Sequence, residues 1–170
     1  TMGNLLSTLD VSNNTDLTDF LCSSNQLTSL AVGNNTNLGV FICSDNQLTS
    51  LDLSQNTALE RFWCNNNDLT SLDIRNGNNL VMTGQISYEF ESTNNPNLFC
   101  IDVDDPTWST ANWTVSNGNI DAQHYFSNNC SGGSAYGCTD SIATNYDPTA
   151  TVDDGSCFYA GDISSLTDCF

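Results

Sequence analysis

Apolar and polar positions repeat along residues 17 to 79 with a period of 21 residues. Each copy reads Leu-x-x-Phe-x-Cys-x-x-Asn and then Leu-x-x-Leu-x followed by an aliphatic residue. The copies begin at Leu17, Leu38 and Leu59. Self-similarity at a fixed period of this length is the signature of a solenoid. The pattern therefore predicts a repeat architecture, although it does not name a ligand.

Each half of the repeat predicts a short β-strand. Apolar residues two apart, such as Phe20 and Cys22 or Leu30 and Val32, place alternate side chains toward an interior. Halves of ten or eleven residues leave no room for a helix. We therefore predict a mainly β leucine-rich repeat solenoid in which two short parallel sheets enclose one apolar core.

The predicted core includes three cysteines at one position of successive coils. Neighbouring rungs lie ~4.8 Å apart, which falls within the Cα separation that a disulfide allows. In-register parallel neighbours point their Cβ atoms the same way, so we predict free thiols acting as small hydrophobes. Three ligands in a straight file cannot form a tetrahedral metal site. The core positions so predicted are Cys22, Cys43, Cys64, Leu30, Leu51 and Leu72.

Asparagines recur where the chain has to bend. Asparagine tolerates a left-handed backbone, and its amide satisfies backbone groups in turns. Stacked at one spacing, these residues predict hydrogen-bonded ladders, and the alternative is a polar ligand-binding surface. They are Asn25, Asn46 and Asn67 in one set, and Asn14, Asn35 and Asn56 in the other.

The charge of the chain restricts its partners. Two arginines and no lysine face 20 acidic residues, which gives a net charge of −18. Tracking of nucleic-acid phosphates or binding to anionic membranes needs basic residues, so neither is expected. No apolar run reaches the length of a membrane span, so membrane insertion is not expected either. Eight cysteines in such a chain favour a place outside the cytoplasm.

Few residues could carry catalysis. The chain has one histidine, His124, and no lysine, so we expect a protein without enzymatic activity. A carboxylate pair for glycoside hydrolysis is the alternative. The acids that are close enough in sequence are Glu89, Glu91, Asp102, Asp104 and Asp105.

The repeat register breaks after Leu80 and returns at Leu98, which predicts a bulged last coil. The aromatic residues that follow predict a lid, because a solenoid end exposes core that a terminal cap has to cover. We assign this lid to Trp108, Trp113 and Phe126, tied by a disulfide between Cys100 and Cys130. The alternative is a carbohydrate platform built from Trp108, Trp113 and His124.

The repeat resembles the leucine-rich repeat superfamily, in particular the bacterial class whose 21-residue units nest two leucine-rich halves. The resemblance covers residues 6 to about 80. The closing segment looks like that of exported leucine-rich repeat proteins from Bacteroidetes. These resemblances imply a scaffold for protein contact or adhesion that is secreted or displayed at the cell surface.

A separate module follows the short linker at residues 131–135. Its Gly-Cys-Thr-Asp, Asn-Tyr-Asp-Pro and Asp-Asp-Gly-Ser-Cys sequences resemble a short acidic repeat found beside adhesive domains in secreted bacterial proteins. A bridge between Cys138 and Cys157 would stabilise it by about 3 kcal/mol, and it leaves Cys169 without an obvious partner. Calcium is the candidate ligand of its oxygen-rich residues, which otherwise serve as turn formers. These are Asp140, Asn145, Asp147, Asp153 and Asp154.

We therefore expect a solenoid at residues 1–97, a cap at 98–130, a linker at 131–135 and a module at 136–170. The chain is expected to be a mature form or an excerpt of an exported protein. Its predicted role is structural or adhesive protein contact, including head-to-tail self-assembly through Leu5, Leu6, Leu9 and Val11. The alternative is a calcium-dependent module that binds a glycan or a protein.

Overall fold

The computed structural model describes residues 3–82, 89–130, 136–146, 152–153 and 157–159. The chain divides into two compact units, Thr1–Asn128 and Asn129–Phe170. Most of the predicted bulge of the last coil, the predicted linker and Cys169 lie outside the described residues.

The first unit is a β-solenoid of about 5 turns with two parallel four-stranded sheets, which confirms the predicted fold class. The first sheet runs in the order β1 (Asp19–Leu21), β2 (Val40–Ile42), β4 (Arg61–Trp63) and β6 (Phe90–Glu91). The second sheet runs in the order β3 (Ser50–Asp52), β5 (Ser71–Asp73), β7 (Cys100–Asp102) and β8 (Tyr125–Ser127).

The strand pairing stacks equivalent residues of successive coils. In the first sheet Phe20, Phe41, Phe62 and Phe90 are in register, and their neighbouring ring centroids lie 5.6, 5.6 and 6.1 Å apart. Phe41 and Phe62 are fully buried. The 21-residue period thus becomes a continuous column of aromatic rings through the core.

One predicted strand is absent. Residues 30–32 form no strand, although Val32 is buried and Leu30 packs against the core. The second sheet begins one coil later, at β3. These residues therefore place their side chains toward the core as the repeat predicts, although their backbone forms no strand.

Buried asparagine side chains join each coil to the coil before it. Asn46 accepts a hydrogen bond from the Leu27 amide at 3.1 Å and donates to the carbonyls of Cys22 at 3.1 Å and Cys43 at 3.0 Å. Equivalent bonds are made by Asn67 and by Asn95, which takes this place after the break in the sequence repeat. Their burial excludes these three amides from a ligand surface.

Two of the three asparagines of the second set also lie inside, whereas Asn14 is exposed. The Asn35 and Asn56 side chains are completely buried and donate to carbonyls of the preceding coil at 2.8 to 3.1 Å. Their Oδ1 atoms have no hydrogen-bond partner among the described residues. The two sets therefore differ, because only the first satisfies donors and an acceptor together.

The cap contains a helix that the repeat pattern did not predict, α1 (Pro106–Asn112). Asp105 caps it by accepting hydrogen bonds at 3.0 Å from the Thr107 and Trp108 amides, and Pro106 occupies the first turn, where no amide donor is needed. A second short helix spans Asn79–Val81, where the sequence repeat breaks. None of the helices in the described part of the chain is both long and apolar enough to cross a membrane.

Trp113 covers the end of the aromatic column. Its ring lies 4.3 Å from that of Phe90, while Trp108 and Phe126 contact it at 5.5 and 5.7 Å. Trp113 is 2% exposed and His124 is 7% exposed, so the carbohydrate platform proposed for these residues is wrong. Phe126 lies in β8, so the cap also completes the second sheet.

His124 is buried beneath the cap with one unsatisfied nitrogen. Its Nδ1 atom lies 3.4 Å from the Asp121 amide and 3.5 Å from the Ser92 hydroxyl. Nε2 has no hydrogen-bond partner among the described residues and lies 3.8 Å from the Asp121 carboxylate. Burial lowers the pKa of His124, and the opposing effect of Asp121 is smaller.

We predict that removing a buried ladder amide destabilises the solenoid far more than removing an exposed one. Asn46→Ala strands the buried Leu27 amide, which should lower the free energy of unfolding by about 1 to 3 kcal/mol. The control Asn37→Ala loses an exposed bond to the Thr15 carbonyl and should cost less than about 0.5 kcal/mol. Urea unfolding measures both, and equal losses would contradict the role assigned to the ladder.

Acidification from about pH 7.5 to 5.5 should destabilise the wild type more than His124→Gln. The pKa of the folded histidine lies below its unfolded value of about 6.5, so the unfolded chain binds the proton first. The contribution of neutral His124 to stability is thus complete above the unfolded pKa. It is lost as the pH falls from the unfolded pKa toward the folded pKa. Thermal unfolding measures the difference; a wild type that gains stability relative to the variant on acidification would show that Asp121 outweighs burial.

Candidate interaction surface

In the first sheet β1, β2 and β4 each turn two side chains away from the core. In β2 these are Val40 and Ile42, on either side of the buried Phe41, and in β4 they are Arg61 and Trp63. Register places them in rows, with Leu21, Ile42 and Trp63 on successive strands. Adjacent strands are about 4.8 Å apart, so the rows are continuous.

This surface is apolar at its centre, and we call it the outer face of the first sheet. It comprises Leu21, Val40, Ile42, Arg61 and Trp63, of which Leu21 is 36% exposed and the other four are half-buried. Apolar residues thus occupy positions on both sides of these strands. Such two-sided strands are unusual on a protein with this charge, because solvent-facing strand positions are normally polar.

Acidic residues border the outer face at both ends of the stack. Asp19 lies on β1 beside Leu21, and its carboxylate accepts a hydrogen bond from the Thr18 hydroxyl. At the other end Glu91 pairs in register with Trp63, and Glu89 directly precedes β6. The outer face is therefore an apolar centre between two acidic ends.

The two arginines have different surroundings. Arg75 donates hydrogen bonds to the Asp73 carboxylate and to the Asn128 carbonyl, and lies 3.6 Å from Asp102. Arg61 forms no ion pair with any described residue, and its buried Nε has no hydrogen-bond partner among them. Arg61 therefore leaves one donor unsatisfied and buried beneath the outer face.

In the second sheet the outward residues of β3 and β5 are polar instead. Ser50 and Ser71 form one row, and Asp52, Asp73 and Asp102 form the next. Although burial opposes it, hydrogen bonds from Arg75 hold the pKa of Asp73 below its ordinary value. The two sheets of one solenoid thus present opposite surfaces, and the contrast identifies the outer face of the first sheet as the candidate site.

The three ladder cysteines line the interior behind this face. Cys22, Cys43 and Cys64 are free and completely buried. Burial raises the pKa of Cys22 to about 11, and it raises the pKa values of Cys43 and Cys64 further. The thiols therefore stay protonated and unreactive, and they contribute to packing rather than chemistry.

The residues predicted for self-contact differ in exposure. Leu5 is 82% exposed, Leu6 and Leu9 are half-buried against the core, and Val11 is 8% exposed. Leu6 also accepts a hydrogen bond from the Gln26 amide at 2.8 Å, so its segment is bound to the first coil. Of the four, Leu5 presents the largest apolar surface.

The predicted calcium ligands are only partly described. The carboxylate of Asp140 accepts hydrogen bonds from the Ile142 amide and the Tyr159 hydroxyl, which lower its pKa, and Asn145 accepts one from the Phe158 amide. Asp147 and Asp154 lie outside the described residues, and only the backbone of Asp153 is described, in β10 (Val152–Asp153). No group that could hold a metal ion occurs among the residues described.

The predicted disulfide cysteines are all bonded. Cys138 and Cys157 form a disulfide with a Cα separation of 4.7 Å, close to the parallel pair of β9 (Tyr136–Gly137) and β10. Cys100 and Cys130 are each in a disulfide as well. These disulfide-bonded cysteines favour an extracellular location for the chain.

Sequence patterns could have revealed the outer face. Strands with one buried side should alternate apolar and polar residues. Here the residues between or beside the inward positions are Leu21, Val40, Ile42 and Trp63, so the strands of the first sheet read as nearly unbroken apolar runs. Sequence reasoning used the inward positions and overlooked what lay between them.

Comparison with known proteins gives little to add to this description. No protein-family model matches the chain, and no curated protein matches it either. Among solved structures, the chain is similar to the functional domain of InlJ from Listeria monocytogenes, a domain that includes a cysteine ladder. The sequences are 34% identical, and the TM-score is 0.43.

The similarity covers 59% of this chain and 23% of the solved InlJ chain, so this chain spans about a quarter of the length of that solved chain. A TM-score of 0.43 is too low to carry a statement about fold or function. What the chain is therefore rests on its own repeats, strands and disulfides: it is a leucine-rich-repeat-like β-solenoid with a stack of three buried cysteines.

Proposed function

We propose that this chain is an extracellular, non-enzymatic structural or adhesive repeat protein that holds a protein partner on the outer face of the first sheet. The observation that carries the proposal is the apolar centre of that face on a chain with a net charge of −18. A contiguous group of apolar side chains that is partly exposed on an outward sheet face is a candidate interaction site. Tryptophan and arginine, the residue types enriched in interfaces, stand side by side there as Arg61 and Trp63.

The solenoid supplies the rigidity that such a surface needs. Each strand of the face is fixed by pairing to the next coil, and its inward phenylalanine packs into the aromatic column. A surface that is already ordered loses little conformational entropy on binding. The core therefore supports a preformed docking face rather than a site that folds around its ligand.

A photo-cross-linking amino acid at position 42 should give a discrete protein adduct in the cells that make this chain. Position 42 lies in the centre of the outer face, within contact distance of any docked partner. Position 71, which is outward on the second sheet, is the matched control and should give no adduct. Gel mobility and mass spectrometry of the adduct provide the measurement.

Equal labelling at positions 42 and 71, or no adduct at position 42 in the folded protein, would contradict the proposed function. An adduct of exactly two copies of the chain would instead support self-association. Circular dichroism of both substituted proteins checks that the solenoid is intact.

Head-to-tail self-assembly is a second candidate, favoured by the exposure of Leu5 beside the half-buried Leu6 and Leu9. A heterologous contact of this kind would propagate into a filament. The alternative is that these residues are covered by further repeats of a longer chain. Electron microscopy at high protein concentration distinguishes these two possibilities, since uniform single particles would rule out the filament.

Calcium binding by the C-terminal module stays a prediction, and the acidic composition supports it. If Asp140 and Asn145 bind Ca²⁺ with the carboxylates farther along the chain, calcium should raise the melting temperature by mass action. Asp140→Asn should abolish that rise, and Mg²⁺ should not reproduce it. A melting temperature unaffected by calcium or chelator would remove the metal from the proposal.

A further inference from the structure

Two opposite charges flank the middle strand of the outer face of the first sheet. Register places Asp19 of β1 on one side of Val40 and Arg61 of β4 on the other. Neighbouring strands are about 4.8 Å apart, so β1 and β4 are separated by about 9.6 Å with Val40 between them. Arg61 forms no ion pair with any described residue. The carboxylate and the guanidinium therefore do not pair with each other within one copy.

The neighbouring row of outward side chains is apolar and contains one large residue. Leu21 of β1 and Trp63 of β4 flank Ile42 of β2, and all three are at least partly exposed. In both rows, therefore, a shorter side chain on β1 corresponds to a longer one on β4. Two opposed sheets lie about 10 Å apart, a gap that a short side chain facing a long one can fill.

A two-fold axis along β2 brings these unlike positions together. The axis lies in the plane of the contact, so β1 of each copy covers β4 of the other and the two β2 strands meet. Asp19 of each copy then faces Arg61 of the other. Leu21 of each copy faces Trp63 of the other. Each contact occurs twice, so the outer face is complementary to itself in charge and in size.

Other two-fold placements lose this match. Moving the axis to between β2 and β4 sets Arg61 against Val40 and places the Glu91 carboxylate over an apolar residue of β1. Turning the axis along the stack of coils sets Asp19 against Leu21. Both arrangements desolvate a charge without giving it a partner, which is costly. The axis along β2 pairs both charges and leaves β6 outside the overlap.

We infer that the outer face of the first sheet binds a second copy of the chain, through a two-fold axis along β2. This inference rests on the proposed function and names its partner, so that the adhesive contact is between identical chains. Because both copies use the same surface, the contact closes at two copies, whereas a head-to-tail contact would propagate.

The contact should be weak. Three short strands from each copy bury less than a standard interface of about 1,600 Å², and each copy carries a net charge of −18. We therefore expect a dissociation constant on the order of 10⁻⁴ M. Many copies displayed on one surface would add their contacts by avidity, which suits an adhesive role.

Charge reversal at positions 19 and 61 tests the axis in the full chain. The readout is sedimentation equilibrium at about 0.15 M salt, which screens charges more than about 8 Å from the contact. Asp19→Arg and Arg61→Asp should each weaken self-association at least about tenfold, because like charges then face each other. An equimolar mixture of the two variants should associate within about fivefold of the wild-type affinity, because opposite charges then meet at both places.

Asp52→Arg is the matched control. It makes the same change of charge as Asp19→Arg at an outward position of β3, on the second sheet, and should alter the affinity less than about twofold. Ile42→Thr removes apolar surface beside the axis and should weaken association by about threefold to tenfold. Melting curves of all variants establish that the solenoid is intact.

The outcomes separate this inference from the proposed function. A wild type that stays monomeric at about 1 mM, with an adduct at position 42 to a different protein, overturns the second copy while the docking face stands. A dimer that neither charge reversal weakens, or a mixture that associates no better than its components, overturns the axis along β2. A monomeric wild type with no adduct at position 42 overturns both.

Discussion

A buried amide at each bend ties every coil of this solenoid to the coil before it, and the rest of the structure depends on that connection. Asn46 uses both ends of its side chain, accepting from Leu27 and donating to Cys22, residues of the previous coil. A slip of one residue would leave these buried groups without partners, at a cost that no exposed turn could offset. Register is therefore fixed by hydrogen bonds as well as by apolar packing.

Stacking in register has consequences on both sides of each strand. On the inside it aligns phenylalanines into a column that Trp113 closes, and cysteines into a stack too deep to react. On the outside it aligns side chains that are far apart in sequence into rows. One sheet thereby collects apolar residues and Arg61, while the other collects serine and aspartate. A single repeat generates two different surfaces.

The 21-residue period was enough to predict the solenoid and its two parallel sheets, because inward positions are set by a strict alternation. The lid was predicted from the aromatic residues that follow the repeats. The period did not predict α1, although Asp105 followed by Pro106 is a recognisable helix start. Leu80 continues the period yet is 57% exposed, because the chain turns there into the short helix Asn79–Val81. Local turn geometry overrides periodicity at the ends of a repeat array.

The candidate site was harder to predict than the fold for a physical reason. Inward positions are constrained by packing and so repeat closely, whereas outward positions vary from coil to coil. Leu21, Ile42 and Trp63 form a surface only once the register is known. A surface of this kind belongs to the assembled coils and to no single repeat.

The placement of the two arginines also determines how the protein meets digestive enzymes. Trypsin-like proteases cut after lysine or arginine, and this chain offers them two such bonds. The bond after Arg61 lies inside β4, and the bond after Arg75 leads into the buried Asn76. Cleavage at either one requires a coil to open first, so the solenoid should survive in surroundings rich in such enzymes.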